Sequence, residues 1–158
     1  MKTPKRNDPS HRRGGSLLVW DSGPLSLLAT AGALHTAGHQ CVCARHAQAA
    51  KDALTMSQVD VVVVDVGDDA PAVLDSIVEM RSMKGYETLP VVMIADDAWR
   101  GLERRVETME IPTRALFKPI DPGSLLAVVD GLLWMPSLVQ NHRRRGTRPG
   151  KVGWVTLD

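Results

Sequence analysis

The feature that most constrains the fold is a short run of β-branched residues, VDVVVVD at positions 59–65. An unbroken apolar run of this length predicts a strand, at 59–64, that is buried on both faces, as in the middle of a parallel sheet. The run ends on a carboxylate, Asp65, and turn-forming residues follow at once. Ligands of open α/β sheets bind just beyond the carboxyl ends of the strands. Asp65 is therefore either a functional residue at such an edge or a cap for the next helix, and the strand alone leaves both open.

The rest of the chain repeats the alternation of a short apolar run and a helical pattern. The predicted strands are 16–20, 40–44, 59–64, 89–94 and 115–117, and the predicted helices are 24–37, 47–56, 70–83, 97–109 and a last one that begins at 122. Five such units in this order predict a flavodoxin-like (βα)5 fold. This is a doubly wound five-stranded parallel sheet with helices on both faces and right-handed crossovers.

Charge divides the chain of 158 residues into an acidic centre and two basic ends. Residues 1–15 and residues 136–158 each carry five Lys or Arg against one Asp, a net charge of +4, whereas residues 16–135 carry a net charge of −7. Both ends are poor in apolar residues, so we expect two disordered basic tails around one domain at 16–135. No apolar stretch approaches the ~20 residues of a membrane helix. The basic start leads into no signal-peptide core, and we expect a cytoplasmic protein.

Three of the predicted strands end on charged residues. Asp21 follows the first strand, Asp65 ends the third and Lys118 follows the fifth. On a doubly wound sheet these positions can converge in one crevice. Two carboxylates and a lysine suit a site for a divalent cation and a phosphoryl group, because hard cations prefer oxygen ligands and lysine is a point charge for phosphate.

Together, these features resemble the receiver domain of two-component response regulators, over residues 16 to 135. The matching stretches are LLVWD at 17–21, DVVVVD at 60–65, LPVVMI at 89–94 and FKP at 117–119. The resemblance implies that Asp65 accepts a phosphoryl group and that Lys118 contacts it. It also implies that Asp21, Asp65 and the carbonyl of Gly67 bind Mg²⁺.

The chain departs from the family pattern at three positions. Ser22 stands where a second acid that binds the metal directly is expected, and a hydroxyl is a poor replacement for a carboxylate on Mg²⁺. Ala95 replaces the Ser or Thr that bonds the phosphoryl group, and Ala115 replaces the aromatic residue of the switch. We therefore expect weak Mg²⁺ binding and no working relay through Ala95 and Ala115. Asp68 and Asp69 could supply the missing ligand or could be solvated or capping residues.

The sequence favours a signalling protein that acts through protein–protein contacts. We expect an atypical single-domain receiver, a pseudo-receiver in which phosphorylation is weak or dispensable. An alternative is an ordinary switch in which Asp65 takes phosphate from a histidine kinase. Trp99, Trp134 and Trp154 are candidate anchors for a partner. The sequence shows no nucleophile–base pair and no glycine-rich phosphate loop, so we do not expect an enzyme.

The basic tails leave a third alternative open, in which the receiver is a scaffold that presents them to nucleic acid. The run Arg143-Arg144-Arg145, with Arg148 and Lys151, has the composition of a segment that contacts nucleic acid, acidic proteins or anionic lipid, although such runs are more often solvated. No DNA-reading module follows the domain, and the 23 residues of 136–158 are too few for one.

Overall fold

The computed structural model describes residues 14–144, with side chains described for residues 14–134. Strands and helices alternate along the chain, as the sequence predicts. The elements are β1 (Ser16–Trp20), α1 (Pro24–Thr36), β2 (Gln40–Ala44), α2 (Ala47–Met56), β3 (Val61–Asp65), α3 (Ala70–Arg81), β4 (Val91–Ala95), a 3₁₀ turn (Asp97–Trp99), α4 (Leu102–Glu107), β5 (Thr113–Phe117) and α5 (Pro122–Arg144).

The five strands form one parallel sheet in the order β2-β1-β3-β4-β5. The order reverses between β1 and β3, so the helices that follow lie on opposite faces of the sheet. This is the predicted flavodoxin-like (βα)5 fold in a single domain. It brings the carboxyl ends of β1, β3 and β5 to one edge, which is where the sequence predicts the site.

The core consists of two layers separated by the sheet. Alternate residues of a strand point to opposite faces, and in β3 Val62 and Val64 pack with α2, α3 and α4, whereas Val61 and Val63 pack with α1 and α5. All four valines are 0–1% exposed. The prediction that the β-branched run is a strand buried on both faces is therefore confirmed.

The largest difference from the sequence prediction lies after β4. One helix was expected over 97–109, but the structure has a 3₁₀ turn at Asp97–Trp99 and a short α4 at Leu102–Glu107. Gly101, between the two, has φ of +103°, a left-handed conformation that interrupts a right-handed helix. The side chain of Asp96 caps the turn, since its Oδ1 accepts the Ala98 N–H at 3.0 Å. The strand before α5 is also longer than predicted, beginning at Thr113.

The described structure extends beyond both ends of the predicted domain. Gly15, assigned to the N-terminal tail, contacts the start of β2, because its N–H donates to His39 Nδ1 at 3.0 Å and its carbonyl accepts the Gln40 N–H at 2.9 Å. Helix α5 continues past residue 135 to Arg144. Residues 1–13 and 145–158 lie outside the described residues, and the predicted disorder of the tails remains a prediction.

His39 joins three elements at the amino-terminal edge of the sheet. It is 3% exposed, and its Nε2 lies 3.0 Å from Asp130 Oδ1 on α5. Because Nδ1 accepts the Gly15 N–H, the proton of a neutral ring is on Nε2, which donates to Asp130.

Within the part of the chain that the structure describes, no helix is long and apolar enough to cross a membrane.

Candidate functional site

The structure brings Asp65 and Lys118 together at the carboxyl edge of the sheet. Asp65 is the last residue of β3, and Lys118 directly follows β5. Lys118 Nζ donates to Asp65 Oδ2 at 2.7 Å, with the Asp65 side chain 10% exposed and the Lys118 side chain 45% exposed. The sequence prediction that these two residues converge is confirmed as a matter of geometry.

The carboxylates around Lys118 hold it in its charged form. Its pKa is raised, first by the hydrogen bond to Asp65 and then by the charges of Asp65, Asp21 and Asp96, against an opposing effect of burial. A lysine whose pKa is higher in the folded state than in the unfolded state contributes stability at neutral pH. That contribution is lost only as the pH rises through this raised pKa.

The remaining oxygen of Asp65 and one oxygen of Asp21 bind the loops that follow their strands. Asp65 Oδ1 accepts the Gly67 N–H at 2.9 Å, in a turn where Gly67 has φ of +57°. Asp21, which is 6% exposed, accepts the Gly23 N–H at 2.9 Å through Oδ1. Both carboxylates are therefore oriented by the backbone two residues downstream.

Ser22 occupies the position where the resemblance leads one to expect a second metal-binding acid. The residue is exposed, and its carbonyl oxygen accepts a hydrogen bond from Arg45 Nη2 at 3.1 Å. The neighbourhood of Asp21 thus has one carboxylate fewer than the family pattern and one guanidinium at the same loop. Both differences disfavour a divalent cation there.

The Gly67 carbonyl, another expected metal ligand, already has a partner. Trp99 Nε1 donates to this oxygen at 3.0 Å, and the half-buried indole packs against the core layer on the α3 and α4 side. The next residue, Arg100, lies over the ring of Phe117 with its guanidinium carbon 4.9 Å from the ring centroid, and it also pairs with Asp97 at 2.9 Å. Trp99 therefore lies in the site, whereas the sequence placed it on an outer helix.

The loop acids do not complete a metal site. Asp69 caps α3, since its Oδ1 accepts the Ala72 N–H at 3.0 Å, and Asp68 is exposed. Among the described residues no group of three or more His, Cys, Asp or Glu could hold a metal ion. The donor set that remains is Asp21 and Asp65 with a carbonyl that Trp99 occupies. In this arrangement the residues do not fit the Mg²⁺ site that the family resemblance implies.

The two switch positions are filled by methyl groups. Ala95 ends β4, is 1% exposed, and uses its carbonyl to accept the Lys118 N–H at 2.8 Å. Ala115 is half-buried in β5 and packs against the core layer that includes α4. Neither side chain can donate a hydrogen bond, so neither can respond to a group on Asp65 as Ser, Thr or Tyr would.

Two residues of the site were missed in the sequence, and Trp99, predicted only as a candidate anchor for a partner, has a contact there that was not predicted. Asp96 contributes to the electrostatics of Lys118, Arg45 binds the Ser22 loop, and Trp99 binds the Gly67 loop. Asp96 and Arg45 each directly follow a strand, a signal that would have found them. Of the other candidate anchors, Trp134 is 62% exposed, and Trp154 lies outside the described residues.

Comparison with known proteins places this arrangement in a known fold. No protein-family model and no curated protein matches the chain. The chain is similar in structure to the chemotaxis protein CheY4 of Vibrio cholerae, with 18% identity and a TM-score of 0.67 over 76% of this chain and 99% of that one. It is similar to a response regulator receiver domain protein from Clostridium thermocellum, with 17% identity and a TM-score of 0.69 over 78% and 98%.

A third structure, a response regulator receiver protein from Pseudomonas putida, is 25% identical, with a TM-score of 0.63 over 75% of this chain and 97% of that one. Each of the three is covered almost completely, so the likeness extends over a whole domain. The single five-stranded parallel sheet agrees with these likenesses. The chain therefore has the fold of a response regulator receiver domain.

Proposed function

We propose that the protein is an atypical single-domain receiver of two-component signalling that acts in the cytoplasm through protein–protein contacts, largely without phosphorylation. The observation that carries the proposal is the incomplete set of cation ligands around Asp65. Ser22 is exposed beside Asp21, Arg45 donates to its carbonyl, and Trp99 occupies the Gly67 carbonyl.

Electrostatics support weak phosphorylation. Transfer of a phosphoryl group depends on cations that offset the negative charge of donor and acceptor. Here a donor that approaches Asp65 also meets the charges of Asp21 and Asp96. Lys118 is already paired with Asp65 at 2.7 Å. We therefore propose that any Mg²⁺ binds weakly and that transfer to Asp65 is slow. The proposed role includes no catalysis on a small substrate.

The surface that we propose a partner recognises is formed by α4 and β5, and it is held by contacts that do not involve a phosphoryl group. Trp99 ties the start of the α4 segment to the Gly67 loop, and Arg100 ties it to Phe117 of β5. The methyl side chains of Ala95 and Ala115 cannot form a hydrogen bond with a phosphoryl group on Asp65 or rearrange in response to it. Since a ligand shifts an equilibrium only by its different affinity for the two states, a group on Asp65 has little leverage over α4 and β5.

A phosphoryl mimic tests the proposal. We expect beryllofluoride with low-millimolar Mg²⁺ to leave the NMR amide shifts of residues 102–117 unchanged, because neither switch position can respond and the site binds the cation weakly. The Asp65→Asn variant is the matched control, and its amide shifts at residues 102–117 should be equally unaffected when beryllofluoride is added. Large, saturable shifts across α4 and β5 that Asp65→Asn abolishes would overturn the proposal.

One observation favours a second function, the phosphorylation-dependent switch fed by a histidine kinase. The acceptor and the lysine of that mechanism are both present, and they pair at 2.7 Å with the pKa of Lys118 raised. The beryllofluoride experiment separates the two functions, since only the switch requires a response at α4 and β5.

A further inference from the structure

One hydrogen bond at the site is made by the indole of Trp99. We propose that Trp99 is a latch: its indole N–H holds the Gly67 carbonyl that a divalent cation would need, so the cation binds only when the segment 97–107 releases the loop. The bond from Trp99 Nε1 to the Gly67 oxygen is 3.0 Å long and half-buried. It joins the loop after β3 directly to the segment after β4.

A carbonyl oxygen has two lone pairs, so the latch depends on whether an indole and a cation can share it. The indole hydrogen of a normal bond lies about 2 Å from the oxygen, and a Mg²⁺ ligand oxygen lies about 2.1 Å from the ion. The positively polarised hydrogen and the dication would thus be about 3–4 Å apart across one atom. Their repulsion, in a half-buried site of low dielectric, disfavours joint occupancy.

Both partners of the latch are held in place by other contacts. The Gly67 N–H donates to Asp65 Oδ1 at 2.9 Å, and this bond holds the Gly67 loop against the Asp65 side chain. The backbone N–H of Trp99 donates to the Asp96 carbonyl at 3.1 Å, which closes the 3₁₀ turn, and the indole ring packs against the core. The ring leaves the Gly67 carbonyl only by giving up its packing against the core, so we expect the turn to shift when the latch opens.

Movement of the turn would be felt on β5. Arg100 directly follows Trp99, lies over Phe117 and pairs with Asp97. The latch therefore connects the Asp65 loop to β5 only when a cation binds, and at the low-millimolar Mg²⁺ of the beryllofluoride experiment we expect it to stay closed. This inference goes beyond the proposed function, because it concerns how a cation is excluded and stands whether or not Asp65 accepts phosphate.

The Trp99→Phe variant tests the latch, because it removes the N–H donor and keeps an aromatic ring. We expect isothermal titration with Mg²⁺ alone to show roughly two- to tenfold tighter binding, the equivalent of one neutral hydrogen bond that no longer has to break. Trp134→Phe is the matched control, since Trp134 is 62% exposed on α5, and it should bind as the unaltered chain does. The same pair is compared in a Ser22→Asp background, where we expect tighter binding that is easier to measure.

Equal Mg²⁺ affinities for Trp99→Phe and Trp134→Phe in both backgrounds would overturn the latch. The unaltered chain provides a second test that needs no variant at Trp99. Its Trp99 indole N–H resonance should exchange with solvent more slowly than that of Trp134 and should shift in step with the Gly67 amide as Mg²⁺ is added. An indole resonance that exchanges as fast as that of Trp134, or stays unmoved while Gly67 saturates, would also contradict the inference. The latch tests use Mg²⁺ alone and measure cation binding at the Gly67 loop, whereas the beryllofluoride experiment measures the response of α4 and β5, so the two proposals can fail separately.

Discussion

We expect the Arg81→Met variant to lose about 1.5–3 kcal/mol of unfolding free energy, the range for hydrogen bonds to a charged group. Arg81 ends α3, and its guanidinium donates to the Leu89 carbonyl from Nε at 3.0 Å and from Nη2 at 2.9 Å. Nη2 also donates to Thr113 Oγ1 at 2.8 Å, so one side chain links α3 to the starts of β4 and β5. Burial lowers the pKa of Arg81 to about 10, and the group stays charged at neutral pH.

Denaturant unfolding of two further variants makes the Arg81 result interpretable. Arg81→Lys keeps the charge but has no planar fork to reach both strands, so we expect an intermediate loss. Arg104→Met changes an exposed arginine of α4 and should stay within about 0.5 kcal/mol of the unaltered chain. A loss of less than about 0.5 kcal/mol for Arg81→Met would show that water replaces the guanidinium at these acceptors.

The second large effect concerns Ser22. We expect Ser22→Asp to tighten Mg²⁺ binding by about tenfold or more, because it restores a carboxylate next to Asp21. Two unit charges 4 Å apart near a protein surface attract by about 4 kcal/mol, and desolvation and the nearby Arg45 offset part of that gain. A magnesium titration followed by tryptophan emission measures the change, since Trp20 directly precedes Asp21.

Ser22→Asn is the matched control for this change. It has the size of Asp without the charge, and we expect it to bind Mg²⁺ as weakly as the unaltered chain does. If the unaltered chain binds tightly and Ser22→Asp leaves the affinity unchanged, the cation is held elsewhere, with Asp68 and Asp69 of the loop as the nearest carboxylates.

The fold could be predicted because its signals are local. The run at 59–65 has the β-branched composition of a doubly buried strand, and the same alternation recurs around it, so the five-stranded parallel sheet and the edge that carries Asp65 could be predicted. The prediction of one helix over 97–109 was wrong because Gly101 was overlooked within a mostly helical pattern. Gly101 has φ of +103° and separates the 3₁₀ turn from α4.

The site could be predicted only where each residue is marked by its position at a strand end. Asp21, Asp65 and Lys118 are marked in this way. The bond from Trp99 to Gly67 joins residues 32 positions apart, and Arg81 reaches Thr113 over 32 positions. Such contacts depend on how helices and loops sit on the finished sheet, and the same tryptophan or arginine on a polar segment is equally compatible with a solvated surface.

The measurement that tests the central claim most directly is the extent of phosphorylation at Asp65. The intact chain is incubated with excess acetyl phosphate and low-millimolar Mg²⁺, and its mass is followed over time beside Asp65→Asn and Ser22→Asp. We expect a small minority of unaltered chains to carry a phosphoryl group at steady state, none of Asp65→Asn, and more of Ser22→Asp. Rapid modification of most unaltered chains, abolished by Asp65→Asn, would contradict the account and identify the protein as a phosphorylation switch.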